Sequence, residues 1–138
     1  MPKAIICEND PDLAKIVSLN LKTAGFDCIT PLSIEEALFL LNSDDISLIS
    51  VYENFGDEPY PNNRVITHVN SLPMYLRRNV FLVLTGKNFK TLDRIQAFSL
   101  GANMVINSAD MEKFGIALKV AYAEYQRIYR IFKEFLLK

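Results

Sequence analysis

The sequence predicts an α/β fold in which helices cover both faces of a parallel five-stranded sheet. The first observation is the run ISLISVY at residues 46–52, which is mostly apolar, carries no charge and lies between turn-prone residues. Such a run is typical of a strand that is buried on both faces. The second observation is that helical patterns precede and follow this run, and the same alternation continues along the chain. The chain therefore predicts a three-layer, doubly wound sheet with the run at its centre.

The length and composition are those of one domain. The chain has 138 residues, 50% of them hydrophobic, which is enough for a sizeable core. Its net charge of −1 offers no electrostatic basis for binding nucleic acid or an acidic membrane surface. Cys7 and Cys28 lie in apolar runs without metal-ligand spacing, so we expect both to be reduced core residues. No signal peptide and no membrane-spanning run is apparent, and we expect a cytoplasmic protein.

Local signals mark where the first helices begin and end. Asp10 followed by Pro11 is a strong helix start, because the carboxylate caps free amides and proline is preorganised for the first turn. Gly25 ends that helix. Ser33 and Glu36 form a capping box at the start of the second helix. The predicted strands are residues 3–7, 26–30, 46–52, 80–85 and 104–106.

The second half of the chain continues the alternation. A third helix ends or kinks at Pro73. A fourth helix carries Leu92, Ile95 and Phe98 at helical spacing and is closed by Gly101. After the fifth strand, one long helix is predicted from about residue 110 to the last residue.

Five strands joined in this way are typical of the flavodoxin-like strand order 2-1-3-4-5. In that order the crevice at the switch point lies between strands one and three, beyond their carboxyl ends. Glu8 and Asn9 end the first strand, and Tyr52 ends the third. The sequence therefore predicts that these three residues share one crevice.

Three short motifs, in this order and spacing, resemble the receiver domain of response regulators. Residues 5–11 (IICENDP) resemble the family's first strand and acidic pair, residues 84–86 (LTG) its threonine motif, and residues 101–103 (GAN) the turn before its last strand. The resemblance covers residues 3 to about 123. We therefore divide the chain into a receiver-like domain, 1–123, and an extension of the last helix, 124–138.

The resemblance implies a specific set of site positions. In that family an aspartate at the end of strand three accepts a phosphoryl group from a histidine kinase, and Mg²⁺, a Ser/Thr and a lysine surround it. Carried onto this chain, the acidic pair is Glu8 and Asn9, the acceptor Tyr52, the threonine Thr85, the lysine position Ser108 and the aromatic position on strand five Val105.

Most of these positions lack the chemistry that phosphoryl transfer needs. Tyr52 cannot form an acyl phosphate, and a phenol with a pKa near 10 is a poor nucleophile at neutral pH. Asn9 lacks the charge that Mg²⁺ prefers in its ligands, and Ser108 supplies no cation for the phosphoryl oxygens. We therefore expect no enzymatic activity, no cofactor and no Mg²⁺ site; if a metal did bind, Glu8 and Asn9 would be its ligands.

A shift of strand three by one residue is the alternative. It would place Glu53 at the acceptor position, either as an unusual phosphoryl acceptor or as a permanent mimic of an activated carboxylate. Such a shift exchanges the two faces of the strand, so only one register can be right. We favour Tyr52, because that register places Leu48 and Ile49 where the family's paired apolar residues stand.

The last helix carries a heptad pattern of apolar residues. Its first half can cover the sheet, whereas Tyr125, Ile128, Phe132 and Phe135 in its second half have no evident surface of their own domain to cover. We expect this stripe to form a homodimer, to bind a protein partner or to continue into a further segment. The alternative is that the helix folds back along the domain.

Together these observations predict a pseudo-receiver, which is a phosphorylation-independent protein–protein interaction module in two-component-type signalling. Two alternatives remain open. One is a phosphorylatable receiver with an unusual acceptor, and the other is a small-ligand-binding flavodoxin-like module. The second would be expected to carry a glycine-rich phosphate loop, which the sequence lacks.

Overall fold

The central strand lies where the sequence predicts it, at Ile46–Tyr52. The computed structural model describes residues 2–43, 45–60 and 62–136, with side chains described as far as Ile131. The elements in chain order are β1 (Lys3–Cys7), α1 (Pro11–Thr23), β2 (Asp27–Ile29), α2 (Ile34–Ser43), β3 (Ile46–Tyr52), a 3-10 turn (Phe55–Asp57), α3 (Arg64–Asn70), α4 (Met74–Arg77), β4 (Phe81–Gly86), α5 (Arg94–Ser99), β5 (Met104–Asn107), a second 3-10 turn (Ser108–Lys113) and α6 (Phe114–Leu136).

The five strands form one parallel sheet in the order β2-β1-β3-β4-β5, which confirms the predicted doubly wound topology. Side chains on its two faces belong to two separate apolar clusters. Ile49 and Val51 of β3 lie in the cluster covered by α2 and α3, whereas Leu48 lies in the cluster covered by α1 and α6. The central strand is therefore buried on both faces, as its composition predicts. Of the helices that the structure describes, none has the length and apolar character needed to span a bilayer.

The predicted helix starts are formed by the side chains that predict them. The carboxylate of Asp10 accepts a hydrogen bond from the Asp12 amide at 2.9 Å. The Ser33 hydroxyl accepts from the Glu36 amide at 3.1 Å, while the Glu36 carboxylate accepts from the amide of Leu32. Because these bonds satisfy amides that no helical carbonyl can reach, α1 and α2 begin where the local sequence indicates.

The helix predicted around Leu92, Ile95 and Phe98 differs from the observed one. α5 is only six residues long, and Leu92 precedes it in a left-handed conformation, with φ of 61°. Ile95 and Phe98 are 84% and 87% exposed, and Ala97 faces the core instead. The cause is the cap: Asp93 accepts from the Gln96 amide and thereby starts the helix at a rotation that turns the two large side chains outward.

Two further helix boundaries also differ from the prediction. A separate four-residue helix, α4, follows Pro73, so the third predicted helix is two short ones. The predicted long C-terminal helix begins with the 3-10 turn Ser108–Lys113, and α6 proper starts at Phe114.

The middle of α6 packs on its own domain. The ring centroids of Tyr122 and Tyr125 both lie 5.2 Å from that of Phe81, at near-perpendicular angles. The Tyr125 hydroxyl donates a hydrogen bond to the carbonyl of Arg78. Burial raises the pKa of Tyr125 to about 12, so the hydroxyl keeps the proton that it donates. The expectation that Tyr125 has no surface of its own domain to cover is therefore wrong.

Beyond Tyr125 the helix continues with exposed apolar side chains. Ile128 and Ile131 are 64% and 58% exposed. The side chains of Phe132 and Phe135, which belong to the same predicted stripe, lie outside the described residues.

The hydrogen bond from Tyr125 is expected to contribute measurably to stability. Tyr125→Phe removes the hydrogen bond to the Arg78 carbonyl, which should lower the free energy of unfolding by about 1 kcal/mol. Chemical denaturation measures this change. Tyr75→Phe is the matched control, because Tyr75 is 62% exposed; equal effects of the two substitutions would contradict the assigned role.

Candidate functional site

The sheet register brings the predicted site positions to one edge. Cys7 pairs with Val51 and Tyr52 pairs with Thr85, so Glu8 follows β1 in the same row as Tyr52 and Thr85. β5 ends at Asn107, which pairs with Gly86, and Ser108 comes next. The carboxyl ends of four neighbouring strands thus present Glu8, Tyr52, Thr85 and Ser108 along a single edge.

Asn9 links the loops that follow β1 and β3. Its Nδ2 donates to the carbonyl of Asn54 at 3.0 Å, and its Oδ1 accepts from the amide of Gly56 at 3.0 Å. An amide side chain supplies one donor group and one acceptor, and Asn9 uses both on the backbone of the same loop. The residue therefore acts as a neutral bridge across the switch-point crevice.

Glu8 turns back onto its own loop. Its Oε2 accepts hydrogen bonds from the amides of Asn9 at 2.8 Å and Asp10 at 3.2 Å. Burial raises the pKa of the Glu8 carboxyl, although these two bonds favour the charged form and act in the opposite direction. The Glu8 carboxylate is thus bonded to backbone amides and partly removed from water.

The remaining two positions, on and after β5, carry no charge. Val105 is fully buried within the sheet. The hydroxyl of Ser108 is buried and has no hydrogen-bond partner in the described part of the chain. Neither side chain carries a charge that could neutralise an anionic group in the crevice.

Glu53 does not stand at the acceptor position that the shifted register would give it, because Tyr52 is the residue that pairs with Thr85. It is only 5% exposed, and its Oε1 accepts from the amide of Lys87 at 3.1 Å. The side-chain amide of Asn88 lies 3.3 Å from Oε2 and 3.5 Å from Oε1. The carboxylate therefore joins the end of β3 to the loop between β4 and α5, and this contact needs Gly86, since a Cβ there would lie 2.4 Å from the Glu53 Cδ.

Sequence reasoning did not identify the partners of Asn9 and Glu53. Three of these partners are backbone groups, at Asn54, Gly56 and Lys87, and a backbone group leaves no residue-type signal. The glycine after Thr85 is the one sequence signal that could have indicated a close approach.

The residues at this edge do not fit a Mg²⁺ site. Mg²⁺ takes octahedral oxygen ligands and prefers carboxylates. Oε2 of Glu8 and Oδ1 of Asn9 already accept hydrogen bonds from backbone amides, and Tyr52 offers a phenol where a further carboxylate would be needed. Across residues 2–43, 45–60 and 62–136, no three His, Cys, Asp or Glu side chains are grouped so that they could hold a metal ion.

At the level of sequence, neither a protein-family model nor a curated protein matches this chain. Solved structures do match it. The receiver domain of the Francisella response regulator 1452 superposes with a TM-score of 0.65 at 18% identity, over 93% of this chain and 99% of that one.

Two further structures agree with this result. The chemotaxis response regulator CheY4 of Vibrio cholerae has a TM-score of 0.60 at 17% identity, over 88% of this chain and 98% of its own. The receiver domain of TorR, the response regulator of the TMAO respiratory system, has a TM-score of 0.65 at 15% identity, over 91% and 99%. The fold is therefore that of response-regulator receiver domains.

The close approach of Glu53 to Gly86 yields a double-substitution test. Gly86→Ala should displace the Glu53 carboxylate from its buried hydrogen bonds and lower the free energy of unfolding by roughly 1–3 kcal/mol. In a Glu53→Ala background the same substitution should cost far less, because the clashing atoms are gone. Chemical denaturation of the four proteins measures the coupling; additive effects would contradict the contact.

Proposed function

We propose that this chain is a pseudo-receiver, a regulatory protein–protein interaction module of two-component-type signalling that works without phosphorylation. The observation that carries the proposal is the residue set at the carboxyl edge of a receiver fold. Tyr52 stands in the row of Glu8 and Thr85 where a carboxylate would have to accept phosphate, and Ser108 stands where a cation would have to neutralise it.

The hydrogen bonds of the crevice support the same proposal. A phosphorylatable crevice needs ligand oxygens that are free to bind a metal ion, whereas Oδ1 of Asn9 and Oε2 of Glu8 accept hydrogen bonds from backbone amides. Glu53, the alternative acceptor, bonds to Lys87 and Asn88 and is 5% exposed. An acceptor must be reached in line by a phosphoryl donor, and a carboxylate enclosed in this way is a poor one.

The interaction surface that we propose is formed by α5 and α6. An ion pair joins Arg94 of α5 to Glu124 of α6. Both helices begin after the carboxyl end of a parallel strand, β4 for α5 and β5 for α6, and pack back along the sheet, so they run in the same direction. Phe98 and Ile128 each lie one helical turn after their member of the ion pair, and we propose that they belong to one outer surface.

Ile95, Phe98, Ile128 and Ile131 form what we call the apolar patch, with exposures of 84%, 87%, 64% and 58%. It borders a groove of about 430 Å³ between the two helices, lined in part by Leu92, Ile95 and Val120. Monomeric proteins rarely expose more than a few hundred Å² of contiguous apolar surface. We propose that a second copy of the chain covers the patch, since an apolar surface can pair with itself in a two-fold symmetric interface and the rim charges Arg94 and Glu124 are already paired within each chain.

The loss of phosphoryl chemistry predicts that Mg²⁺ with beryllofluoride leaves the amide NMR signals of Asn9, Thr85 and Asn107 unchanged. A Tyr52→Asp, Asn9→Asp, Ser108→Lys variant should respond, because it restores the acceptor, the acidic pair and the cation. A response of the unaltered chain would contradict the proposal. If Glu53→Gln then abolished that response, Glu53 would be the acceptor.

The proposed dimer is tested by the mass of the chain in solution. Phe98→Glu should raise the dissociation constant at least about tenfold, because it places an unpaired charge in the interface. Sedimentation equilibrium over a range of concentrations measures this change. Phe39→Glu is the matched control, since Phe39 is 67% exposed on α2, away from the patch. A monomer at every concentration would contradict self-association and leave a different protein as the partner.

A further inference from the structure

We infer that Glu53 is a positioning residue, which holds the loop between β4 and α5 and thereby sets how α5 presents the apolar patch. The inference deepens the proposed function and rests on it only for the effect on association. The Glu53 carboxylate would then connect the crevice structurally to the outer surface.

The first step of the connection is the bond from β3 to the loop. Glu53 is the residue directly after β3, and its carboxylate accepts from the Lys87 amide and lies within hydrogen-bond distance of the Asn88 side chain. The Glu53 amide donates in turn to the Thr85 carbonyl at 2.8 Å, so the residue is itself fixed to β4. A buried carboxylate that lost these donors would be left unpaired, which makes the arrangement costly to open.

The second step runs from the loop to α5. The side-chain amide of Gln96 donates to the carbonyl of Asn88 at 3.1 Å and accepts from the amide of Lys90 at 2.8 Å. Gln96 thus fastens α5 to Asn88, the loop residue that Glu53 also contacts, and to Lys90. Ile95 precedes Gln96 and Phe98 follows it two residues later, so a rotation of this short helix would move both patch residues.

The loop also stores backbone strain. Leu92 has φ of 61°, a conformation that a branched side chain adopts at a cost. Its amide donates to the carbonyl of Val105 at 3.0 Å. A strained residue persists only where its surroundings hold it, so loosening the loop should first affect Leu92.

A second set of bonds holds the loop from the other side and supplies the competing explanation. The Asn107 side chain donates to the carbonyls of Lys87 and Phe89, and the Asn107 amide donates to the Thr91 hydroxyl. If these bonds alone fix the loop, the effect of removing the Glu53 side chain will not extend beyond Lys87.

Amide hydrogen exchange of the full-length chain distinguishes a loop held by Glu53 from a loop held by the Asn107 bonds alone. In Glu53→Ala, the amides of Lys90 and Leu92, neither of which is bonded to Glu53, should exchange about tenfold faster. The amides of Leu82 and Leu84 in β4 should keep their rates, which shows that the fold is intact. Glu53→Gln keeps an acceptor for the Lys87 amide and should show a smaller change, and Glu112→Ala, at an exposed position, should show none.

Acceleration at Lys87 alone, or equal acceleration at all amides, would overturn the inference. Should Glu53→Ala fail to fold, Asn88→Ala tests the same connection from the loop side and should accelerate exchange at Leu92. Glu53→Ala should also raise the dimer dissociation constant about tenfold. A monomeric chain with the expected exchange pattern would refute the proposed dimer alone, whereas an intact dimer with unchanged exchange would refute the role of Glu53 alone.

Discussion

The pairing of β3 with β1 on one side and β4 on the other is the constraint on which the rest of the structure depends. Because β3 is buried on both faces, Leu48 is committed to one apolar cluster and Ile49 and Val51 to the other, and a shift by one residue would exchange the faces of the strand. The register that results places Val51 beside Cys7 and Tyr52 beside Thr85. The loops after these strands are therefore held close enough for Asn9 and Glu53 to reach them.

Polar side chains of the crevice form hydrogen bonds to the backbone, whereas a phosphorylatable site would need charged side chains that are available to bind a metal ion and a phosphoryl group. Asn9 spans two loops with an amide that has no charge to attract a metal ion. Glu53 keeps a carboxylate at this edge but turns it toward Lys87 and Asn88. Under the proposed function, a signal that passes through this edge comes from binding rather than from a covalent modification. This is the physical content of the proposed pseudo-receiver.

The outer surface of α5 and α6 is apolar because few of their side chains in this region contact the sheet. α5 has only six residues, and one small side chain, Ala97, is enough to seat it against the sheet. Its large side chains, Ile95 and Phe98, are exposed to water, as are Ile128 and Ile131 on α6. A surface of this kind is costly for a monomer and useful for an interaction module.

The sequence by itself determined the strand order, the bounds of β3, the helix starts at Asp10 and Ser33 and the residues at the crevice, because buried runs and capping side chains act locally. Only the tertiary structure decided how those residues are used. The packing of Tyr125 on Phe81 and the partners of Asn9 and Glu53 depend on groups 34 or more residues away. Contacts of this kind have no periodicity in the chain, so they arise only when the sheet brings its loops together.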